Sequence, residues 1–182
     1  MKLHIGCGKK YLPGYKHLDI IKYPHVDYVT TANDLSMFDN ESLEEIYACH
    51  ILEHFSRIEI KNVLKEWRRC LMRGGILRIA VPDFEAIVAE YLSSGDLEKV
   101  MGLLYGGQNY KYNFHFQTYD FKRIEYLLTN AGFSKISRYD WCDFLPENFD
   151  DFSRAYLPHM DFEHGRLMSL NIIAIKDIES EV

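Results

Sequence analysis

The sequence predicts an α/β domain in which helices connect the strands of a mainly parallel sheet. Short runs rich in β-branched and aromatic residues alternate with stretches whose apolar residues recur at helical spacing, and this alternation is typical of parallel α/β sheets. The strongest helical pattern lies between two strand-like runs. Because the chain has 182 residues, 47% of them hydrophobic and 26% charged, we expect a single domain over residues 1–182 with a substantial core.

Short apolar or β-branched runs predict seven strands. Five lie in the first half of the chain, at residues 3–5, 17–21, 26–30, 46–49 and 76–81. The other two lie near its end, at residues 135–141 and 167–176. The fifth run is the clearest of the set, and no internal repeat interrupts the order.

Capping residues mark the predicted helices. Ser56 and Glu59 form a capping box, and the apolar stripe that follows at helical spacing comprises Ile60, Val63, Leu64, Trp67 and Leu71. The glycine pair at 74–75 is predicted to close this helix in a left-handed turn. Asp83 and Asp120 are the predicted N-caps of two further helices.

Two segments do not fit this alternation. Residues 105–119 are rich in Tyr, Phe and Asn, and residues 142–166 are acidic and aromatic. Long irregular segments in a compact domain are usually binding loops or lids. We therefore predict that both lie on the substrate side, the alternative being that their aromatic residues only cover an edge of the sheet.

Composition excludes several classes of protein. A net charge of −6 at pH 7 argues against a general nucleic-acid binder, which would present a basic face. No apolar run approaches the ~20 residues of a membrane span, and no secretory signal is recognisable. The four cysteines, at positions 7, 49, 70 and 142, form no C-x-x-C pair, so free thiols and a cytoplasmic location are expected.

The first predicted strand ends in a G-x-G sequence, Gly6-Cys7-Gly8. Open α/β sheets bind ligands at the carboxyl ends of their strands, and glycine lets a ligand lie against bare backbone. The dinucleotide pattern G-x-G-x-x-G would need a glycine at position 11, where the chain has Tyr11, and a Walker-type loop is also absent. The loop therefore does not favour a pyrophosphate ligand.

Acidic residues follow the next two strands. Asp19 ends the second strand, where a carboxylate can accept both hydroxyls of a ribose, and Asp34-Leu35 follows the third, where an adenine edge could bind. Taken alone, each is explained equally well as a turn or capping residue. Together with the glycine loop they lie at one edge of the predicted sheet, and this coincidence favours a binding role.

These motifs, in this order, resemble the class I S-adenosylmethionine-dependent methyltransferases, and most of all their methyltransferase type 11 group. The segments that carry the resemblance are LHIGCGKKYLPGYKHLDI, NDLSMFDNESLEEIYACHILEHF, VLKEWRRCLMRGGILRIAVPDF, DFKRIEYLLTNAGFSKI and SLNIIAIK. The resemblance implies a Rossmann-like, mostly parallel seven-stranded sheet with an antiparallel last strand and helices on both faces. It also implies S-adenosylmethionine as cofactor, S-adenosylhomocysteine as product, and a small-molecule or glycan-type acceptor.

The resemblance assigns cofactor contacts to Gly6, Cys7, Gly8, Asp19, Ile20, Asp34, Leu35 and His50. The three loop residues would line the methionine part of the cofactor. Asp19 would hold the ribose and Ile20 would lie against the adenine. Asp34 and Leu35 would contact the adenine edge, and His50 would lie near the methionyl group and the sulfonium.

The chain also departs from the family pattern. Lys10 occupies the place of a frequent third glycine, and residues 6–16 are too few for the usual crossover of a dozen or more residues. No helix precedes the first strand, so we expect a reduced N-terminal helical part and an open site. A second copy of the chain, in a homodimer, or another partner could cover such an open site. Residues 49–52 read CHIL where DNA amino-methylases of this fold carry D/N-P-P-Y/F, so nucleic acid is not expected as a substrate.

The segment HILEH matches the H-x-x-E-H spacing of one class of zinc peptidases through His50, Glu53 and His54. Both histidines would have to share a helix face, yet a strand precedes His50 and the capping box at Ser56 starts the helix later. No third protein ligand is assigned either. A zinc hydrolase is therefore the least favoured alternative, and no metal site is predicted.

Methyl transfer from a sulfonium depends mainly on alignment of donor and acceptor, and a hydroxyl acceptor also needs a base. The candidates are His54, His115 and Asp83, with Glu53 as polar lining. The alternative for each residue is a capping or surface role. The alternative for the whole protein is a methyltransferase-like binding or scaffold module without catalysis.

Overall fold

The computed structural model describes residues 1–177, which form a mixed sheet, four α-helices and short 3-10 turns. The strands are β1 Lys2–Ile5, β2 Lys16–Asp19, β3 Tyr28–Val29, β4 Leu43–Cys49, β5 Leu71–Pro82, β6 Phe133–Arg138, β7 Tyr156–Leu157, β8 Arg166–Leu167 and β9 Ser169–Lys176. The helices are α1 Ile60–Cys70, α2 Phe84–Ser94, α3 Glu98–Tyr105 and α4 Phe121–Asn130. None of these helices is long and apolar enough to span a membrane.

Seven of the strands form one sheet in the order β3-β2-β1-β4-β5-β9-β6, and β7 pairs with β8 in a separate ribbon. Strands β1 to β5 pair in parallel, whereas β9 runs antiparallel to both β5 and β6. The predicted seven-stranded, mostly parallel sheet with an antiparallel last strand is therefore confirmed. The order reverses direction between β1 and β4, and ligand sites of open α/β sheets lie at such a point.

Helix α1 packs its apolar stripe onto one face of this sheet. Its side chains Ile60, Val63, Leu64 and Trp67 are buried in the main core together with residues of β1, β4 and β5. The predicted capping box also forms, because the Ser56 N–H donates to the Glu59 carboxylate at 2.9 Å. The same core includes α4, whose N-cap Asp120 accepts the Arg123 N–H.

Two predicted element ends are wrong. Leu71 does not belong to α1, because it adopts an extended conformation with φ −67° and ψ 136° and begins β5. Gly74 does adopt a positive φ of 73°, but it lies in β5, where the register against β4 shifts between Leu43 and Glu45. The glycine pair therefore accommodates an irregular strand start and does not close the helix.

The later elements also differ from the prediction. The sixth strand is β6, Phe133–Arg138, and not residues 135–141, since its pairing with β9 ends at Arg138 and a 3-10 turn begins at Trp141. Helix α3 was not predicted, and β3 has only two residues. Each of these boundaries depends on the strand or segment that packs beside the element. The periodicity of apolar residues in the sequence gives no information about that neighbour.

The second face of the sheet is covered mostly by irregular chain. Tyr47 of β4 points to the side opposite Ile46, and it packs with Leu12, Leu145 and Phe149 in a second core cluster. Residues 6–15, between β1 and β2, contain no helix, as expected for a reduced N-terminal helical part. Part of the segment 142–166 therefore covers a face of the sheet, whereas the alternative given above placed its aromatic residues at an edge.

Candidate active site

The glycine loop follows β1 at the carboxyl edge of the sheet. Gly6 and Gly8 both have positive φ, 66° and 55°, and the Gly6 N–H donates to the Leu18 carbonyl at 2.7 Å. A Cβ at Gly6 would lie 1.9 Å from the Ile51 Cδ1 atom, whereas a Cβ at Gly8 would meet nothing within 4 Å. Gly6 thus lets the loop pack against the turn after β4, and Gly8 faces open space.

This difference predicts unequal costs for alanine at the two glycines. A positive φ costs an L-residue roughly 1–2 kcal/mol, so Gly8→Ala should lower the free energy of unfolding by about that amount. Gly6→Ala should cost more, because Ile51 must also move. Urea unfolding measures both values. An Ile51→Ala change should recover part of the loss in the Gly6→Ala background, and equal losses at the two glycines would contradict the proposed contact.

Asp19, the last residue of β2, reaches across to the glycine loop and is only 8% exposed. One of its oxygens accepts the Gly8 N–H at 2.7 Å, and the other accepts the Ile21 N–H at 2.8 Å. Through these two hydrogen bonds, the Asp19 carboxylate connects the glycine loop to the residues that follow β2. A carboxylate has about four lone-pair positions, so each oxygen can accept a further hydrogen bond.

Cys7 and Ile20 flank these contacts. The Cys7 thiol is buried with its Sγ atom 3.7 Å from the His25 Nε2. Burial, followed by the charge of Asp19, raises the pKa of Cys7 to about 12, so the group is a neutral thiol at physiological pH. Ile20 is half-buried at the end of β2.

The segment that carries Asp34 and Leu35 is held by helix α1. The Trp67 indole N–H donates to the Ala32 carbonyl at 2.7 Å, and the Arg69 guanidinium donates to the Leu35 carbonyl at 3.0 Å. Leu35 is fully buried in the main core, whereas Asp34 is exposed. Of the two predicted adenine contacts, Asp34 is thus the one at the surface.

His50 lies directly after β4 and has a positive φ of 53°. Its Nε2 atom is 3.3 Å from the Ser169 hydroxyl, and its ring packs on that of Phe152 with centroids 5.3 Å apart. Burial lowers the pKa of His50 to about 3, with His115 and His54 adding to the shift, so its ring is neutral. Ser169 and Phe152 were not singled out in the sequence, since nothing local connects them to residue 50.

Three predicted polar residues come together beyond this point. The metal-ligating atoms of Glu53, His54 and His115 all lie within 4.8 Å of one another, and the two imidazole rings are 5.0 Å apart. Each histidine uses Nδ1 to contact a backbone carbonyl, that of Phe114 at 3.0 Å and that of Leu103 at 2.9 Å. We refer to these three residues as the Glu53–His54–His115 cluster.

Glu53 has the most unusual surroundings in the cluster. It is 0% exposed, and neither carboxylate oxygen has a hydrogen-bond partner within the part of the chain that the structure describes. The His50 Nδ1 lies 3.3 Å from one oxygen, but without hydrogen-bond geometry. Burial raises the pKa of Glu53 to about 8. A buried acid without a partner costs free energy unless something compensates it.

Asp83, the third candidate catalytic residue, makes its contacts outside the cluster. It caps α2 by accepting the Glu85 N–H at 3.0 Å, and its second oxygen lies 3.3 Å from an Arg138 guanidinium nitrogen. Among the described residues, Asp83 is not part of the cluster that contains His54 and His115. These contacts agree with the capping role given as its alternative.

The segment 105–119 extends from the cluster to the glycine-loop side. The Phe116 N–H donates to the Glu53 carbonyl at 2.8 Å, and the Tyr119 hydroxyl donates to the Leu52 carbonyl at 3.1 Å. At the other end, burial and the nearby Asp19 raise the pKa of Tyr110. The aromatic composition pointed to this segment, but only the structure brings Tyr110 within electrostatic range of Asp19.

Comparison with known proteins bears on this arrangement. No protein-family profile matches the sequence, and no curated protein sequence matches it significantly. Solved structures do match: an S-adenosylmethionine-dependent methyltransferase from Thermotoga maritima has a TM-score of 0.59 at 18% identity, with 97% of this chain and 82% of that chain covered. A second, from Methanosarcina mazei, has a TM-score of 0.57 at 17% identity, covering 98% and 92%.

A third neighbour comes from Haloferax volcanii and was solved in complex with a methyltransferase activator. Its TM-score is 0.59 at 12% identity, with 100% of this chain and 83% of that chain covered. At such identities the likeness concerns the fold, and the site has to be argued from this chain's own residues.

Proposed function

Because the chain has the fold of class I S-adenosylmethionine-dependent methyltransferases, we propose that it transfers a methyl group from S-adenosylmethionine to a small-molecule or glycan-type acceptor. The observation that carries the proposal is the contact between Asp19 and the glycine loop at the carboxyl edge of the sheet, with the Gly8 N–H 2.7 Å from the carboxylate. This contact places an acid with spare lone pairs beside bare backbone, as an adenosine bound through its ribose would require.

Under this proposal, each predicted cofactor contact has a role in the arrangement. Gly6, Cys7 and Gly8 would line the methionine part through their backbone, since the Cys7 thiol is buried against His25. Asp19 would accept the ribose hydroxyls, and Ile20 would pack on the adenine. The exposed Asp34 would meet the adenine edge, which the buried Leu35 would support from the core. His50 would lie beside the methionyl group as a neutral ring.

The acceptor would lie on the side of the Glu53–His54–His115 cluster. A carbonyl oxygen can only accept, so each histidine carries its proton on Nδ1 and its lone pair on Nε2. We propose that these lone pairs activate the acceptor. In the reaction, an electron pair of the acceptor atom forms a bond to the methyl carbon while the carbon–sulfur bond breaks towards sulfur. The acceptor proton passes to solvent, and Asp83 takes no part in its transfer.

The non-catalytic alternative keeps the same cofactor site but lacks turnover. Lys10 in the glycine loop supports it, as does a neighbour that was solved with an activator protein. A homodimer or another protein partner, and a cytoplasmic location, likewise remain predictions.

Titration calorimetry tests the proposal directly. S-adenosylhomocysteine should bind with saturable heat and, at about 100 times its Kd, add about 2.7 kcal/mol to the free energy of unfolding. ATP is the matched control, since it shares the adenosine but carries phosphates that the loop does not favour. No heat and no thermal stabilisation at millimolar S-adenosylhomocysteine would sink the proposal. Binding without S-adenosylhomocysteine formation across hydroxyl, amine and sugar acceptors would favour the scaffold alternative.

A further inference from the structure

We infer that the Glu53–His54–His115 cluster binds a divalent transition-metal ion, with zinc as the best match to its donor atoms. The sequence spacing suggested a different set, His50, Glu53 and His54. Among the described residues, the three whose ligand atoms come together are Glu53, His54 and His115, and the His50 Nε2 lies 3.3 Å from the Ser169 hydroxyl. The structure supplies the missing ligand from the segment 105–119. His115 lies beside His54, although 61 positions separate the two residues along the chain.

The two histidines have the hydrogen bonding of metal ligands. A metal-bound histidine almost always donates its other ring N–H to a carbonyl, carboxylate or water, which fixes its tautomer. Both rings already have such a partner, because His54 Nδ1 is 3.0 Å from the Phe114 carbonyl and His115 Nδ1 is 2.9 Å from the Leu103 carbonyl. With the protons on Nδ1, the Nε2 atoms are the ring positions left for a cation; the His54 ring also contacts the backbone of His50.

Glu53 gives an independent reason to expect a cation. Its carboxylate is 0% exposed, and among residues 1–177 neither oxygen finds a hydrogen-bond partner. Buried carboxylates in proteins are normally paired or bound to a metal. A cation between this carboxylate and the two Nε2 atoms would supply the absent partner.

The backbone holds this arrangement in place. The Phe116 N–H donates to the Glu53 carbonyl at 2.8 Å, and the His115 N–H donates to the Tyr105 carbonyl at 3.1 Å. The three ligand atoms lie within 4.8 Å of one another, whereas a tetrahedral site with bonds of about 2 Å spaces them by about 3.3 Å. Side-chain rotations that move these atoms by roughly 1 Å would close the site.

The donor set indicates which metal. Two imidazoles and one carboxylate are the ligands of one class of catalytic zinc site, whose fourth position stays open. Magnesium and calcium prefer all-oxygen sites, so they match these donors less well. The open fourth position would be free for a substrate atom.

The chemical role of the ion rests on the proposed function. An acceptor hydroxyl in the fourth position loses its proton more readily, and that proton passes to solvent. The remaining electron pair on oxygen then forms the bond to the methyl carbon, and the carbon–sulfur bond breaks towards sulfur. His54 and His115 would thus act on the acceptor through the ion.

Calorimetric zinc titration of the EDTA-treated full chain tests the site. We expect one zinc per chain, a rise in Tm on zinc addition, and affinity lost by at least about 100-fold in Glu53→Gln and in His115→Ala. His164→Ala, at an exposed histidine, and Cys142→Ser, at an exposed thiol, should leave the affinity unchanged. Absence of saturable binding, or equal affinity in His115→Ala and the parent chain, would overturn the inference.

The same preparations separate this inference from the proposed function. Glu53→Gln is nearly isosteric with the protonated acid and cannot offer a carboxylate to a cation, so the metal-free variant should fold about as stably as the parent chain while losing its Tm response to zinc. If S-adenosylhomocysteine binds and zinc does not, the metal site is refuted and methyl transfer stands. If zinc binds and S-adenosylhomocysteine does not, the metal site stands and the proposed function fails.

Discussion

Replacing Asp19 with asparagine should weaken S-adenosylhomocysteine binding by about 100-fold. Hydrogen bonds to a charged group contribute roughly 1.5–3 kcal/mol each, so weakening the two ribose contacts by about 3 kcal/mol in total, the low end of that range, amounts to about two orders of magnitude in Kd. The fold should survive with a loss of about 1–3 kcal/mol, because the amide can accept only one of the Gly8 and Ile21 N–H groups. Calorimetry and urea unfolding measure the two effects separately.

Asp27→Asn is the matched control for this change. Asp27 also accepts a backbone N–H of β2, from His17 at 2.9 Å, but at the strand's opposite end. It should lose comparable stability and keep its affinity for S-adenosylhomocysteine. Unchanged affinity in Asp19→Asn, or an equal loss in both variants, would show that the ribose assignment is wrong.

Trp67→Ala should have the largest effect on stability, a loss of about 3–5 kcal/mol in the free energy of unfolding. Trp67 is fully buried in the main core, and its removal leaves a cavity that the sheet and α1 cannot fill. Urea unfolding measures the loss, and a value below about 1 kcal/mol would contradict the packing described for α1.

Trp67→Phe separates packing from hydrogen bonding at the same position. It keeps most of the ring and loses the indole N–H that donates to the Ala32 carbonyl at 2.7 Å. The expected cost is about 1–3 kcal/mol, since a buried carbonyl is left unpaired. Because Ala32 lies just before Asp34, this variant should also bind S-adenosylhomocysteine more weakly if the segment meets the adenine. Unaltered affinity would argue against that contact.

Local signals predicted a large part of the fold correctly. The capping box at Ser56, the N-cap at Asp120 and the apolar stripe from Ile60 to Trp67 all depend on residues within one or two helical turns of each other. Such patterns involve only residues close together in the sequence, so they can be recognised without knowledge of the tertiary structure. Leu71 and the end of β6 were placed wrongly, because an apolar residue at a boundary fits a helix and a strand equally well until its pairing partner is known.

The candidate site was predictable only in part. Four of the candidate residues lie at or directly after the ends of strands: Gly6, Gly8, Asp19 and His50. Any parallel arrangement of these strands brings them to one edge of the sheet. The burial of Glu53 was not predictable, because a glutamate in a polar-looking turn is usually exposed. The ion pair between Asp83 and Arg138 was also not predictable, because it depends on the antiparallel pairing of β9 with β5 and of β6 with β9.

The sequence by itself determined the order of the seven strands of the main sheet and of helices α1, α2 and α4 along the chain, together with the glycine loop and the acid after β2, because these follow from periodicity, capping and chain direction. The tertiary structure alone decided that His115 joins Glu53 and His54 and that Tyr110 lies near Asp19. The segment 105–119 has no repeating pattern, and its path is set by long-range hydrogen bonds to the turn after β4. The HILEH segment thus contributes Glu53 and His54 to a candidate metal site, and the third ligand, His115, comes from elsewhere in the chain.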